Sequence, residues 1–368
     1  MQKIRLVNKF TKSIVRYKRR NEINPTHVTS TLITAALSSS FVNEACKSSG
    51  QISKSQVIYR KLNGKTLKEI ERYFRDITVE FLKKLKLYNK NHEFLLSIDT
   101  TYEAFYGDPS KAEDKIYLHH GSIAKGSEHY YKYITISITC DTSRYILDGI
   151  MIPVGCYIED YVYEMVKFVK EYLPIKAILL DRGFSSWGVI YKLKKPGIPY
   201  IIFWEKIGNW YKEYMKNLKD GESFHMKRVG IYNRDKTNYR ISSNFVLIKQ
   251  LEYDGKTFDW IFATNLKKEK AELYVKLYKK RWGIETIYRI TDDIRIYTTS
   301  TNCIIRYFLF IFTCLVYNIW RFFQMYLGEE FTMANCKIAL IVFMIKYGMI
   351  NPQCYDELET LIKTFFDI

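Results

Sequence analysis

The sequence predicts a mixed α/β fold in which helices cover a sheet, a β-rich insertion interrupts the core, and helical regions extend both ends. Three observations predict it. Between residues 93 and 204, short apolar runs alternate with segments of helical period, the pattern of strands and their covering helices. Residues 205–259 change to short alternating patches and turn residues, which read as strands and hairpins. On either side, apolar positions recur at three- and four-residue steps, as in packed helices. With 368 residues, 47% of them apolar, the chain can bury a large core and form two or three folding units.

The first twenty residues carry Lys3, Arg5, Lys9, Lys12, Arg16, Lys18, Arg19 and Arg20 and no acid. Such a run is a solvated arm or a phosphate-binding arm. Residues 24–87 read as helical, with two short helices around the turn Asn63-Gly64 loosely like a helix-turn-helix. FLLSID and YKYITISITC follow as strands, and a turn at Asp141-Thr142-Ser143 leads into RYILDGIMIPV to complete a hairpin. A helix is predicted over 158–172, and IKAILLD has the near-continuous apolar character of a strand buried on both faces. SSWGVIYKLKK reads as helix and PYIIFW as strand. Within the insertion, SFHMKRVGIY, NYRISSNFVLI and KQLEYDGKTFDWIF read as strands, with a turn at Asp254-Gly255. A long helix is expected from Lys267 through Asp292, and 303–366 is helical and rich in aromatics.

The formal net charge is +18, from 57 Lys and Arg against 39 Asp and Glu, and nucleic acid is the simplest partner for that excess. The seven cysteines are widely spaced with no C-x-x-C pair, which argues against a disulfide framework and a zinc site of usual spacing. The N-terminus has no apolar stretch of the kind a secretory signal needs. The apolar run Tyr307–Trp320 is short of the about 20 residues that cross a bilayer. Arg306 and Arg321 bracket it, so a buried core helix is expected rather than a membrane protein.

Asp99 and Asp181 each sit at or near the C-terminal end of an apolar strand. Ligands of open α/β sheets gather outside the carboxyl ends of strands, although an isolated acid there also serves as a turn or helix cap. In YKKRWGIETIYRITDDIR, helical spacing places Tyr278, Arg281 and Glu285 along one face, with Arg289 nearby. Gly283 inside that helix costs about 1 kcal/mol relative to alanine, which suggests close approach of another backbone or of DNA. His119 and His120 lack metal-ligand neighbours at useful spacing and read as loop residues.

These residues carry a resemblance. Ser97-Ile98-Asp99-Thr100-Thr101 with Phe105-Tyr106-Gly107, then Leu180-Asp181-Arg182-Gly183-Phe184, Ala263-Thr264-Asn265, Tyr278-x-x-Arg281-Trp282-x-Ile284-Glu285 and Tyr317-Asn318-x-Trp320 follow one another in order. Over residues 94–320 the chain resembles the DDE transposases of prokaryotic insertion sequences, the group with an RNase H-like core, a β-rich insertion and a Y-R-E-K signature. The resemblance implies an RNase H-like mixed sheet flanked by helices, divided as a helical DNA-binding region over 1–90, the catalytic core over 91–204 and 263–326, the β-rich insertion over 205–262, and a helical region over 327–368. It implies that Asp99, Asp181 and Glu285 are catalytic and hold Mg²⁺, with Mn²⁺ able to substitute. Two such ions about 3.5–4 Å apart would flank an in-line displacement at phosphorus.

On that reading Arg281 and Tyr278 grip the phosphate near the cut and the adjoining nucleotide. Arg182 steadies a phosphate or pairs with Asp181, and Trp282 stacks on a displaced base or belongs to the core. Lys227 and Arg228, with Arg234, Lys236 and Arg240 of the insertion, hold DNA. The signature's lysine falls here on Asp292, so its contact is missing or supplied by Arg289 or Arg295. The implied partners are terminal inverted repeats and target DNA, bound by a homodimer, in the cytoplasm or on the nucleoid. A nuclease or resolvase that cuts without joining, and a catalytically inactive DNA-binding derivative, are the alternatives.

Overall fold

A computed structural model describes residues 25–346, apart from 50, 51, 53, 63, 86, 88–91, 141 and 142, together with Lys9 and Thr11. Most of the basic arm, Asn63, Asp141-Thr142 and residues 347–368 therefore lie outside the described residues. Lys9 is described, and its ammonium pairs with Glu80 at 2.6 Å.

From residue 25 the described residues form α1 (Pro25–Leu37), α2 (Val42–Ser49), α3 (Ser55–Lys61) and α4 (Leu67–Lys84). A reciprocal cap starts α4. The Glu69 amide donates to the Thr66 hydroxyl at 3.2 Å, and the Thr66 amide donates to the Glu69 carboxylate at 2.9 Å. Then come β1 (Phe94–Phe105), β2 (Leu118–His120), β3 (His129–Cys140), β4 (Ser143–Ile152), α5 (Ile158–Lys170), β5 (Ile175–Leu180), α6 (Trp187–Lys194) and β6 (Tyr200–Phe203). The short helix α7 (Trp210–Lys216) precedes β7 (Ser223–Arg234), β8 (Thr237–Tyr253) and β9 (Lys256–Thr264). The chain continues through α8 (Ala271–Lys279), α9 (Trp282–Asp292), α10 (Cys303–Leu327) and α11 (Met333–Lys346).

The described residues form two compact units. One takes residues up to Phe81, Glu103–Tyr131 and Ile287 onward; the other takes Leu82–Tyr102 and Lys132–Thr286. In the first, Asn302 caps α10 by accepting from the amides of Ile304 and Ile305 at 2.8 and 3.2 Å. This helix has 25 residues, longer than the apolar run that announces it, and is long and apolar enough to cross a membrane. Even so, 89% of its most apolar window is buried, with Tyr307, Phe308 and Phe312 almost wholly inaccessible. That is the signature of a core helix. The histidines expected in a loop lie instead on β2, which pairs antiparallel with β3, and His119 stacks on Tyr130.

The second unit is built on a mixed sheet with order β3-β1-β5-β6-β9-β8-β7, and β4 pairs along β3. The strands β1, β5 and β6 are parallel, whereas β9 joins β6 antiparallel. The insertion strands thus continue the core sheet through β9. The Asp254-Gly255 turn has both residues at positive φ, 52° and 72°, the geometry of a tight hairpin turn. On one face of the sheet Leu95, Ala177, Leu179, Ile201, Val246 and Phe262 meet Ala271, Tyr274, Val275 and Tyr278 of α8 in a single apolar cluster. The RNase H-like mixed sheet flanked by helices expected from the sequence is therefore present. The long helix expected over 267–292 is not one helix: it breaks at Lys280-Arg281 into α8 and α9. Tight turns bridge the break, with the amides of Arg281, Gly283 and Ile284 donating to the carbonyls of Tyr278, Lys280 and Arg281 at 2.9, 3.1 and 2.8 Å.

Candidate active site

The parallel ladder between β1 and β5 ends at the pair Ile98–Leu180. Asp99 and Asp181 are the next residues on the two strands, so register alone sets them side by side, at a strand spacing of about 4.8 Å. Residues 94–98 are buried and 99–102 are not, although β1 itself runs on to Phe105. Asp99 therefore closes the apolar run and the ladder with β5, but not the strand.

Each aspartate accepts from a backbone amide at one oxygen. Asp99 Oδ1 accepts from the Thr100 amide at 2.8 Å. Asp181 Oδ1 accepts from the Gly183 amide at 2.9 Å and caps the short 3₁₀ turn 182–184. The expected turn role of Asp181 thus uses one oxygen only.

Glu285 comes from the first turn of α9, and a close approach positions that helix. A Cβ on Gly283 would lie 3.1 Å from the Thr139 Cβ and 3.3 Å from the Thr139 carbonyl oxygen, too tight for a side chain without movement. The close approach suggested by this glycine is to strand β3. The Thr139 hydroxyl in turn meets the Ser97 hydroxyl at 2.9 Å in the buried interior, two residues before Asp99. A chain of contacts, Gly283 to Thr139 to Ser97, thereby fixes α9 against the strand that carries Asp99. The two hydroxyls were not singled out in the sequence, where only the polar-in-apolar placement of Ser97 in FLLSID hints at them.

Arg281 links the acids. One Nη donates to Asp99 Oδ2 at 3.2 Å, and the other makes a short bond to Glu285 Oε1. The Asp99 carboxyl is raised from 3.8 to about 6, first by burial and then by the charge of Asp181, with Arg281 opposing. Asp99 thus feels the negative charges of both Asp181 and Glu285, offset by one buried guanidinium. Hard oxygen donors with surplus negative charge fit Mg²⁺ or Mn²⁺, which take carboxylates and keep several waters. Among the described residues, no three His, Cys, Asp or Glu side chains stand grouped closely enough to hold an ion, and Arg281 is the group that lies between Asp99 and Glu285.

The family model for the transposase DDE domain matches residues 113–319, more than half of the chain. The chain belongs to the DDE transposase family. The match includes Asp181 and Glu285, and Asp99 lies just N-terminal to it. A piggyBac transposase, solved by cryo-EM in a synaptic complex with hairpin DNA, is similar over 94% of this chain and 80% of its own, with TM-score 0.61 and 12% identity. At that identity the likeness is one of fold. No curated protein matches the sequence.

In this transposase the remaining expected residues fall into three groups. Tyr278 is 4% exposed, its ring packed against Phe203, Trp260 and Phe262 at 5.2–6.2 Å, and burial pushes its hydroxyl up to about 12. Its ring is enclosed by these aromatics, and the Arg281 guanidinium lies 5.6 Å from it. Trp282, by contrast, is not core: it is 48% exposed with the Lys279 ammonium 3.7 Å from its ring centre. Arg182 is exposed, 5.2 Å from the Phe203 ring centre.

Lys227 and Arg228 lie on β7, five strands from β1, or about 24 Å at ordinary strand spacing. Lys227 is exposed, whereas the Arg228 guanidinium stacks on Trp210 at 3.5 Å, and burial lowers its pKa. Arg234 is similarly committed, to Asp160 at 2.8 Å. Beyond Glu285, Arg289 is exposed one turn further along α9, and Arg295 pairs with Asp292 at 2.6 Å.

Proposed function

We propose that this transposase cuts DNA at the ends of an insertion sequence and joins those ends to target DNA, with Asp99, Asp181 and Glu285 as its catalytic residues. The observation that carries this reading is the adjacency of two acids, with the third brought to them through one arginine. Asp99 and Asp181 neighbour each other at the end of the β1/β5 ladder, and Arg281 ties Asp99 to Glu285. The three carboxylates would hold Mg²⁺, which supplies an activated nucleophile and stabilises the leaving oxygen in phosphoryl transfer.

The chain's own residues set the rest. Ser97 and Thr139 hold the strand and helix at fixed separation, so Glu285 is presented to Asp99 at a reproducible distance. The Thr100 and Gly183 amides orient one oxygen of each aspartate, and the second Asp99 oxygen would reach a cation only once Arg281 turns away from it. Arg281, Arg182 and Arg289 would donate to backbone phosphates beside the cut. With Asp292 at the signature's lysine position and Arg295 engaged by it, Arg289 is the cation that serves in its place. Trp282, half exposed on the same helix as Glu285, would stack on a base in place of the Lys279 ammonium. Lys227 would contact phosphate further along, while Arg228 and Tyr278 act through packing.

The test is incubation of the protein with linear DNA that carries the flanking repeats, plus Mg²⁺ and a target plasmid. Cutting at the repeat ends followed by joined products is the expected result. Cutting without joining would replace this reading with that of a nuclease, and binding without either would leave a DNA-binding derivative.

A further inference from the structure

Arg281 is buried, 7% exposed, and its two Nη atoms are committed to Asp99 and Glu285, two of the three acids. Its Nε is also buried and has no hydrogen-bond partner among the described residues. A buried guanidinium that leaves a donor unpaired gives up the hydrogen bond its desolvation calls for. Its anchorage therefore comes from the two carboxylates and from the Tyr278 ring beneath it. Those same carboxylates are the ligands a divalent ion would take.

We infer that Arg281 is a displaceable counter-ion that competes with the divalent cation for Asp99 and Glu285, so that metal loading is coupled to DNA binding. This rests on the proposed reading that those acids hold the ion. Without DNA, the guanidinium offsets the repulsion between carboxylates and keeps Glu285 tied down, so metal binds weakly. A DNA phosphate offers the arginine a second bidentate acceptor. Once Arg281 turns to it, both carboxylates are released to the cation. By reciprocity, the factor by which DNA raises metal affinity is the factor by which metal raises DNA affinity. Such an arrangement would keep the protein from assembling a reactive site away from DNA.

The experiment follows Mn²⁺ binding to the DNA-free full chain by the electron paramagnetic resonance signal of free Mn²⁺. Wild type, Arg281→Met, Asp99→Ala and the double variant are compared. Arg281→Met is expected to bind Mn²⁺ about tenfold or more tightly than wild type, and the gain should vanish in the double variant. Arg281→Lys keeps a charge but cannot fork to two acids, and should fall between wild type and Arg281→Met. The melting temperature of Arg281→Met should lie below that of wild type without metal and recover in Mn²⁺.

Equal or weaker Mn²⁺ binding by Arg281→Met and Arg281→Lys, with binding still lost in Asp99→Ala, overturns the competition and leaves the metal ligands intact. Absence of any Asp99-dependent Mn²⁺ binding, in all variants, removes the underlying metal assignment as well.

Discussion

At the scale of single residues, Asp99 carries the clearest thermodynamic consequence. Its carboxyl is raised from 3.8 to about 6, first by burial and then by Asp181, against the opposing charge of Arg281. Between those values the folded protein keeps a proton that the unfolded chain has released. By linkage, this group's contribution to stability is complete below the unfolded value and is lost as pH rises through the folded one. The loss is on the order of 3 kcal/mol. The melting temperature of the metal-free protein, taken relative to Asp99→Asn, should therefore fall between about pH 4 and pH 7. A difference that stays flat across that range would mean Asp99 is not perturbed as described. Tyr278 shows the limit of reading residues from spacing: its position one helical turn from Arg281 was legible, but not the Phe203, Trp260 and Phe262 rings that enclose it.

At the scale of elements, the decisive contact is that of α9 with β3. Gly283→Val would press a branched side chain against Thr139. It should cost about 1–3 kcal/mol of stability and lower cutting, because the turn that moves carries Arg281 and Glu285. Trp282→Ala, one residue away but half exposed, should leave stability within about 0.5 kcal/mol. Thermal melts of the two variants decide this: equal effects would place the constraint elsewhere.

Strands and their order of appearance were readable because apolar runs such as IKAILLD and alternating ones such as NYRISSNFVLI have unambiguous periods. The break between α8 and α9 was not, since a helical period survives a tight turn of two residues. Nor could local pattern show that β9 pairs with β6 and makes the insertion strands part of the core sheet, because that pairing is long-range. That Asp99 and Asp181 each follow a buried apolar run was visible, and their adjacency followed only from the β1/β5 register.

For the whole molecule, the charge of +18 sets the terms of DNA binding. Neutralised phosphates release counter-ions, so log K should fall with log salt by about 0.9 per contact on duplex DNA. Lys227→Ala should lessen that slope by about one contact, whereas Arg228→Ala should lower stability through its lost stacking on Trp210. A slope indifferent to Lys227 would remove it from the interface.

The most direct test of the central claim is the behaviour of Asp99→Ala with DNA bearing the element's ends, in Mg²⁺. Binding retained at wild-type affinity with strand cutting abolished is the predicted result. Nicking that persists in this variant would contradict the assignment of Asp99, Asp181 and Glu285 as one metal-holding group.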